Sequence, residues 1–208
     1  MALKYDAKLA RTIGIATAAV VGTMMSSSVV ARTVEYLQDL AAVRAAAEDQ
    51  GIAGPFSEAP APGGAEIVLE TAGAADHRVV VASQYCQAYR LENAVSALLK
   101  ELVARANPAP EPTNITVGGR TVKLRVVSGS TVLRCMGKSD LTMICKNRVR
   151  LTAIASVARA DGSTAETPLA AQVEREGRMG GFCGNIARYT GIVTREAGID
   201  LLRQAQAL

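Results

Sequence analysis

The chain has no tryptophan, only two phenylalanines, five tyrosines and one histidine. Proteins that grip single-stranded nucleic acid stack bases on aromatic side chains inside a basic groove, so the shortage of rings argues against that class. With His77 the sole histidine, a zinc site would fall to the cysteines, and none of the four is spaced as C-x-x-C. The same missing spacing removes a thioredoxin-type redox centre. No G-x-S-x-G elbow is present, which excludes a hydrolase built on that turn. No metal or other cofactor is expected.

The near misses have simpler explanations. Gly137-Lys138-Ser139 matches the tail of a phosphate-binding loop, but that loop needs glycine where Val132 stands. His77 lies between Asp76 and Arg78 at the start of a strand and reads as a surface histidine at a strand edge. Glu174 and Glu176 share one face of a strand end, a pattern that usually belongs to solvated side chains. Lys146, Arg148 and Arg150 alternate as the wet side of a strand. Gly118-Gly119 reads as a turn, and Asn114-Ile115-Thr116 would accept a glycan only in a eukaryotic secretory path. No catalytic constellation emerges, so an enzyme is the less favoured class.

What is present starts at the front of the chain. Lys4, Lys8 and Arg11 outnumber Asp6 and are followed by a charge-free run from Thr12 to Ala31, with Val29 and Ala31 at the −3 and −1 positions ahead of Arg32. This is the pattern of a secretory signal peptide, residues 1–31. The rival is a signal anchor, since the run is long enough to span a hydrocarbon core. Its abundance of Ala, Gly, Thr and Ser favours cleavage. Those four charged residues account for half of the formal net charge of +4, so the remainder is close to neutral.

The cysteines fit export. Cys86, Cys135, Cys145 and Cys183 all follow the expected cleavage point and are even in number, as in a disulfide framework. Cys135 and Cys145 flank a hairpin whose turn is Gly137-Lys138-Ser139-Asp140. A Cys135–Cys145 bridge is therefore expected, leaving Cys86–Cys183 as a long-range staple.

Beyond the leader, Val34, Leu37, Leu40, Ala41 and Ala45 recur at helical steps, giving an N-terminal helix within residues 32–50, with Gly51 where a C-cap would sit. Residues 51–64 are dense in Pro and Gly and read as a linker holding that helix loosely. Were the leader retained, helix and linker would form a stalk. A disulfide-stapled domain spans 65–208. Strands are expected at Ile67–Leu69 and Arg78–Ala82. A helix from Leu91 to Ala106 carries the stripe Leu91, Val95, Leu98, Leu99, Leu102 and Val103. Alternation then marks Thr121–Val126, Val149–Val157 and Leu169–Val173, with Asp161-Gly162 as a tight turn. Arg175, Arg178, Gly180 and Gly181 form a flexible basic loop, the candidate binding loop, before a last helix from Cys183 to Ala207 that Gly191 and Gly198 weaken. The fold class is α+β: an antiparallel β-meander of three to five strands with helices on one face, including the C-terminal helix.

From Ala65 onward this order of elements resembles that of small bacterial envelope proteins acting as adaptors or accessory subunits of outer-membrane and transport assemblies. The resemblance is one of element order and carries no functional residues. The leader, the paired cysteines and the missing catalytic constellation lead to the expectation of a periplasmic or secreted, non-enzymatic accessory or binding protein that recognises a protein or envelope component through an exposed sheet face or edge and the basic Arg175–Gly181 loop. The alternatives are a membrane-anchored subunit facing the periplasm, with membrane contact only through residues 12–31, and a secreted hydrolase with an unrecognised site.

Overall fold

The computed structural model describes residues 32–61, 65–70, 76–82, 91–107, 120–138, 142–180 and 183–208. The leader, Cys86, residues 108–119, residues 139–141 and Gly181 lie outside them.

Strand alternation builds the body. In β7 (Thr142–Ala158), Cys145, Asn147, Val149, Leu151, Ala153 and Ala155 are buried, while Lys146, Arg148 and Arg150 between them are exposed. β6 (Arg120–Lys138) and β8 (Thr164–Gly180) flank it, both antiparallel. β6 first turns Val122, Leu124 and Val126 inward. A bulge then adds Val127, and the inward set becomes Thr131 and Leu133. That change of parity is why alternation alone ends the strand at Val126. The turn at Asp161-Gly162 forms as expected, with Gly162 at φ 81° and the Ser163 N–H donating to Asp161 Oδ1.

The fold is α+β, but its two sheets are mixed rather than antiparallel throughout. The larger has five strands: β2 (Ala65–Glu70) and β4 (Val80–Ala82) both run parallel to β6, beyond which follow β7 and β8. The smaller has three: β1 (Arg32–Thr33) runs parallel to β5 (Leu91–Asn93), which pairs antiparallel with β3 (His77–Arg78). The physical reason is a crossover. The chain passes through helix α2 (Val95–Ala106) between β2 or β4 and β6, and a helix between neighbouring strands returns the chain in the same direction.

Three expected boundaries move. Leu91 is buried in β5, and α2 begins at Val95, where Asp76 accepts the Ser96 N–H and hydroxyl and so supplies the cap that Ala94 cannot. The N-terminal helix, α1, covers only Leu40–Asp49, with Asp39 accepting the Ala42 N–H. Val34 and Leu37 instead belong to an extended segment whose Val34 N–H donates to Glu92 O and whose Glu35 N–H donates to Ala187 O. The last helix, α3, runs Ile186–Gln206 over the inner face of the meander.

The glycines expected to weaken α3 let other elements approach it. A Cβ on Gly191 would stand 1.7 Å from Glu35 O, and one on Gly198 would stand 3.2 Å from Leu102.

Residues 51–61 are held down rather than loose. Gly51 at φ 58° ends α1; its N–H bonds Glu48 O and the Ile52 N–H bonds Ala47 O, a Schellman closure. Adjacent residues Arg195 and Glu196 of α3, 2% and 4% exposed, then grip the backbone of one residue: Arg195 donates to Ser57 O and Glu196 accepts the Ser57 N–H, each at 2.8 Å. Burial pulls the Arg195 guanidinium below its usual range, and Glu196 beside it opposes the pull. Residues 32–61 therefore lie on the body and form no stalk.

Candidate functional site

The depressions formed by described residues include two lined by titratable side chains. The first, about 360 Å³, is lined by Thr33, Asp76, His77, Arg78, Glu92, Asn93 and Ala94. His77 is half-buried here, not a surface side chain. Behind it, Asn93 Nδ2 donates to Thr131 Oγ1 at 3.1 Å and to Thr194 Oγ1 at 3.0 Å, and the Tyr36 hydroxyl donates to Asn93 Oδ1. His77 Nε2 lies 2.7 Å from Thr131 Oγ1. Asn93 Nδ2 also lies 3.4 Å from His77 Nε2. The Asp76 carboxylate is engaged by Ser96. Burial raises the Tyr36 hydroxyl pKa well above its usual range, with Asp76 adding to the effect. The cleft is thus floored by polar groups that satisfy one another across β3, β5, β6, α3 and the N-terminal segment. No group of residues able to hold a metal occurs among the described residues.

The second depression, about 540 Å³, lies on the meander and is lined by Val132, Arg134, Cys135, Met136, Lys146, Arg148 and Glu174. Strand register explains the set. On the outer face Arg134, Lys146 and Glu176 stand in one cross-strand row and Val132, Arg148 and Glu174 in the next. Lys146 reaches Glu176 at 3.5 Å and Arg148 reaches Glu174 at 2.7 Å. Arg134 has no carboxylate within ion-pair distance among the described residues, and it stands directly across from Lys146, a like-charge pairing that sheets disfavour. Met136 is 68% exposed and Val80, beside Val132, is 58% exposed.

Two edge strands of the five-stranded sheet, β2 and β8, carry blocks from other segments, while β4 is a further edge strand beside β6. On β2, Asn107 takes the Ile67 N–H on Oδ1 and donates Nδ2 to Ile67 O. On β8, the Arg178 N–H is taken by Gln50 O, Glu174 O by Arg175, and Ala170 O by Gln204, while Pro168 has no N–H to offer. Such blocks oppose strand addition.

The expected binding loop is a correction: Arg175, Arg178 and Gly180 lie within β8, and only Gly181 falls outside the described residues. Ladder pairing with β7 extends the strand through the glycines that suggested a loop. Arg175 donates to Pro55 O and holds the 51–61 segment, while Gly177 is narrow enough to admit Ile52. The Cys135–Cys145 bridge forms across directly opposed residues of β6 and β7. Cys183 is also disulfide-bonded, and its expected partner, Cys86, lies outside the described residues. Glu174 and Glu176 pair with cations rather than with each other. Gly137 and Lys138 belong to β6, not to a phosphate loop. Sequence reasoning placed Lys146 and Arg148 on a wet face but missed Arg134 and Met136, which the bulge at Val127 brings onto it. Compared with known proteins, the chain matches no family model and no curated protein.

Proposed function

We propose that this chain is an exported, non-enzymatic accessory or binding protein of the cell envelope, and that it recognises a protein or envelope component with the outer face of its long meander. The observation that carries this reading is a contrast between surfaces. The edge strands β2 and β8 are blocked in part by Asn107, Arg175, Gln204 and Pro168, whereas the outer face offers an open groove with an arginine unpaired among the described residues and an exposed methionine. Recognition surfaces combine exposed apolar side chains with arginine in this way. The alternative hydrolase has less support, because His77 Nε2 is hydrogen-bonded to the buried Thr131.

Export is supported by the leader pattern and by the disulfides. No helix among the described residues is long and apolar enough to cross a membrane. Intact mass of the full-length product from a Gram-negative host, before and after reduction and alkylation, tests the proposal. The expected product begins at Arg32 and gains alkyl groups only after reduction. An uncut chain with four alkylatable thiols would remove the envelope role.

A further inference from the structure

We infer that the outer-face groove takes an extended acidic segment of a partner polypeptide, with a carboxylate between two apolar side chains at alternate positions. This rests on the proposed role of that face and names the chemistry it selects.

The outer positions of β6 read Val132, Arg134, Met136 at the two-residue period of a strand, apolar, cationic, apolar. Val80 of β4 stands against Val132 and widens the apolar end. Among the described residues that line the groove, Arg134 is the cation without an ion pair, and it faces Lys146 directly. Arg148 stands on the diagonal from Arg134, within reach of a long side chain. A carboxylate arriving here relieves the like-charge contact and gains charge-assisted hydrogen bonds from Arg134, whose planar fork suits it. Residues two positions to either side of that carboxylate then fall over Val132 and Met136. A strand-like ligand reproduces this spacing, and the blocks on β2 and β8 oppose its addition at those two edges.

The arrangement also discriminates between anionic partners. Glu174 and Glu176 run beside the cations on β8. They repel a uniformly anionic sheet of lipid headgroups, yet leave room for one carboxylate centred on Arg134. Nucleic acid would need aromatic platforms, and none lines the groove among the described residues.

The test uses the disulfide-bonded protein isolated from the exporting host, with amide chemical shifts as the readout so that millimolar binding is visible. The probe is a heptapeptide with leucine, glutamate and leucine at alternate positions and serine between them. The expected result is saturable shifts confined to Val132–Met136 and Lys146–Arg148, at least tenfold weaker for the glutamine peptide and for the variant Arg134→Gln, and weaker in high salt. Arg134 is exposed, so this variant folds, and Met136→Ser provides an independent check with an intermediate loss. Equal binding of the glutamate and glutamine peptides, or no effect of Arg134→Gln, overturns the inference. So does tighter, Arg134-dependent binding to phosphatidylglycerol vesicles than to the peptide, or self-association that Arg134→Gln abolishes. An envelope partner that crosslinks at position 136 while the peptides fail to discriminate overturns the acidic chemistry and leaves the recognition face standing.

Discussion

The inner and outer faces of the same three strands follow different rules. On the inner side of β7, Val149, Leu151 and Ala155 are fully buried beneath α3, and even the polar residues are enclosed: Asn147 donates to Thr190 at 3.2 Å. On the outer side Lys146, Arg148 and Arg150 stand in solvent, two of them in ion pairs that water screens. One residue of offset therefore separates side chains that hold the fold from side chains free to be spent on recognition. Substitutions on the two faces should differ sharply in their effect on stability.

The largest effect is expected behind the inner face. Glu196→Ala leaves the buried Arg195 guanidinium without its carboxylate and frees the Ser57 N–H, so a loss of about 3–5 kcal/mol is expected in chemical denaturation. A loss below about 1 kcal/mol would mean that the 51–61 segment is not anchored through this pair. Leu98→Ala, inside the α2–α3 contact, should cost about 2–5 kcal/mol as a cavity in the core. Gly191→Ala follows at about 1–3 kcal/mol, because the new methyl meets Glu35 O. Hydrogen exchange should show the amides of Val34 and Glu35 released first. Unchanged protection there would contradict the close approach.

Tyr189 provides a smaller and pH-dependent check. Its single hydroxyl proton is shared between Cys145 O at 2.9 Å and Arg175 O at 2.7 Å, tying α3 to β7 and β8. Tyr189→Phe should cost about 1 kcal/mol. Burial raises the folded-state pKa of Tyr189, with Glu176 and Glu174 nearby adding to it, and Tyr36 is raised likewise. A raised folded value means the contribution is whole below the unfolded tyrosine pKa of about 10 and is lost as pH climbs through the folded values. Absorbance at 295 nm should show two late-titrating tyrosines whose ionisation accompanies unfolding. Arg148→Gln on the outer face should change stability by less than about 0.5 kcal/mol.

Much of this division was legible in the sequence, and the failures have identifiable causes. Clean alternation gave the inward set of β7, and ten-residue cysteine spacing across a turn gave the Cys135–Cys145 bridge. The extent of β6 was hidden because a bulged strand changes parity, which periodicity reads as an ending. The parallel strands were hidden because β2, β4 and β5 are too short to announce their partners, although α2 between β2 or β4 and β6, and α1 between β1 and β5, were the clues. Arg175 and Arg178 looked like loop residues because glycine is weighed locally, whereas Gly177 is set by a distant contact with Ile52. The groove could not be foreseen from charge spacing alone, since Arg134 joins Lys146 only through register.

The most direct test of the central claim is photo-crosslinking in the exporting cell, from a photoreactive amino acid placed in turn at Met136 in the groove and at Asp161 in the exposed β7–β8 turn. The account predicts a discrete partner band from position 136 that weakens with Arg134→Gln, and none from position 161. Equal bands from both positions, or a band at 136 indifferent to Arg134, would contradict recognition by the outer face.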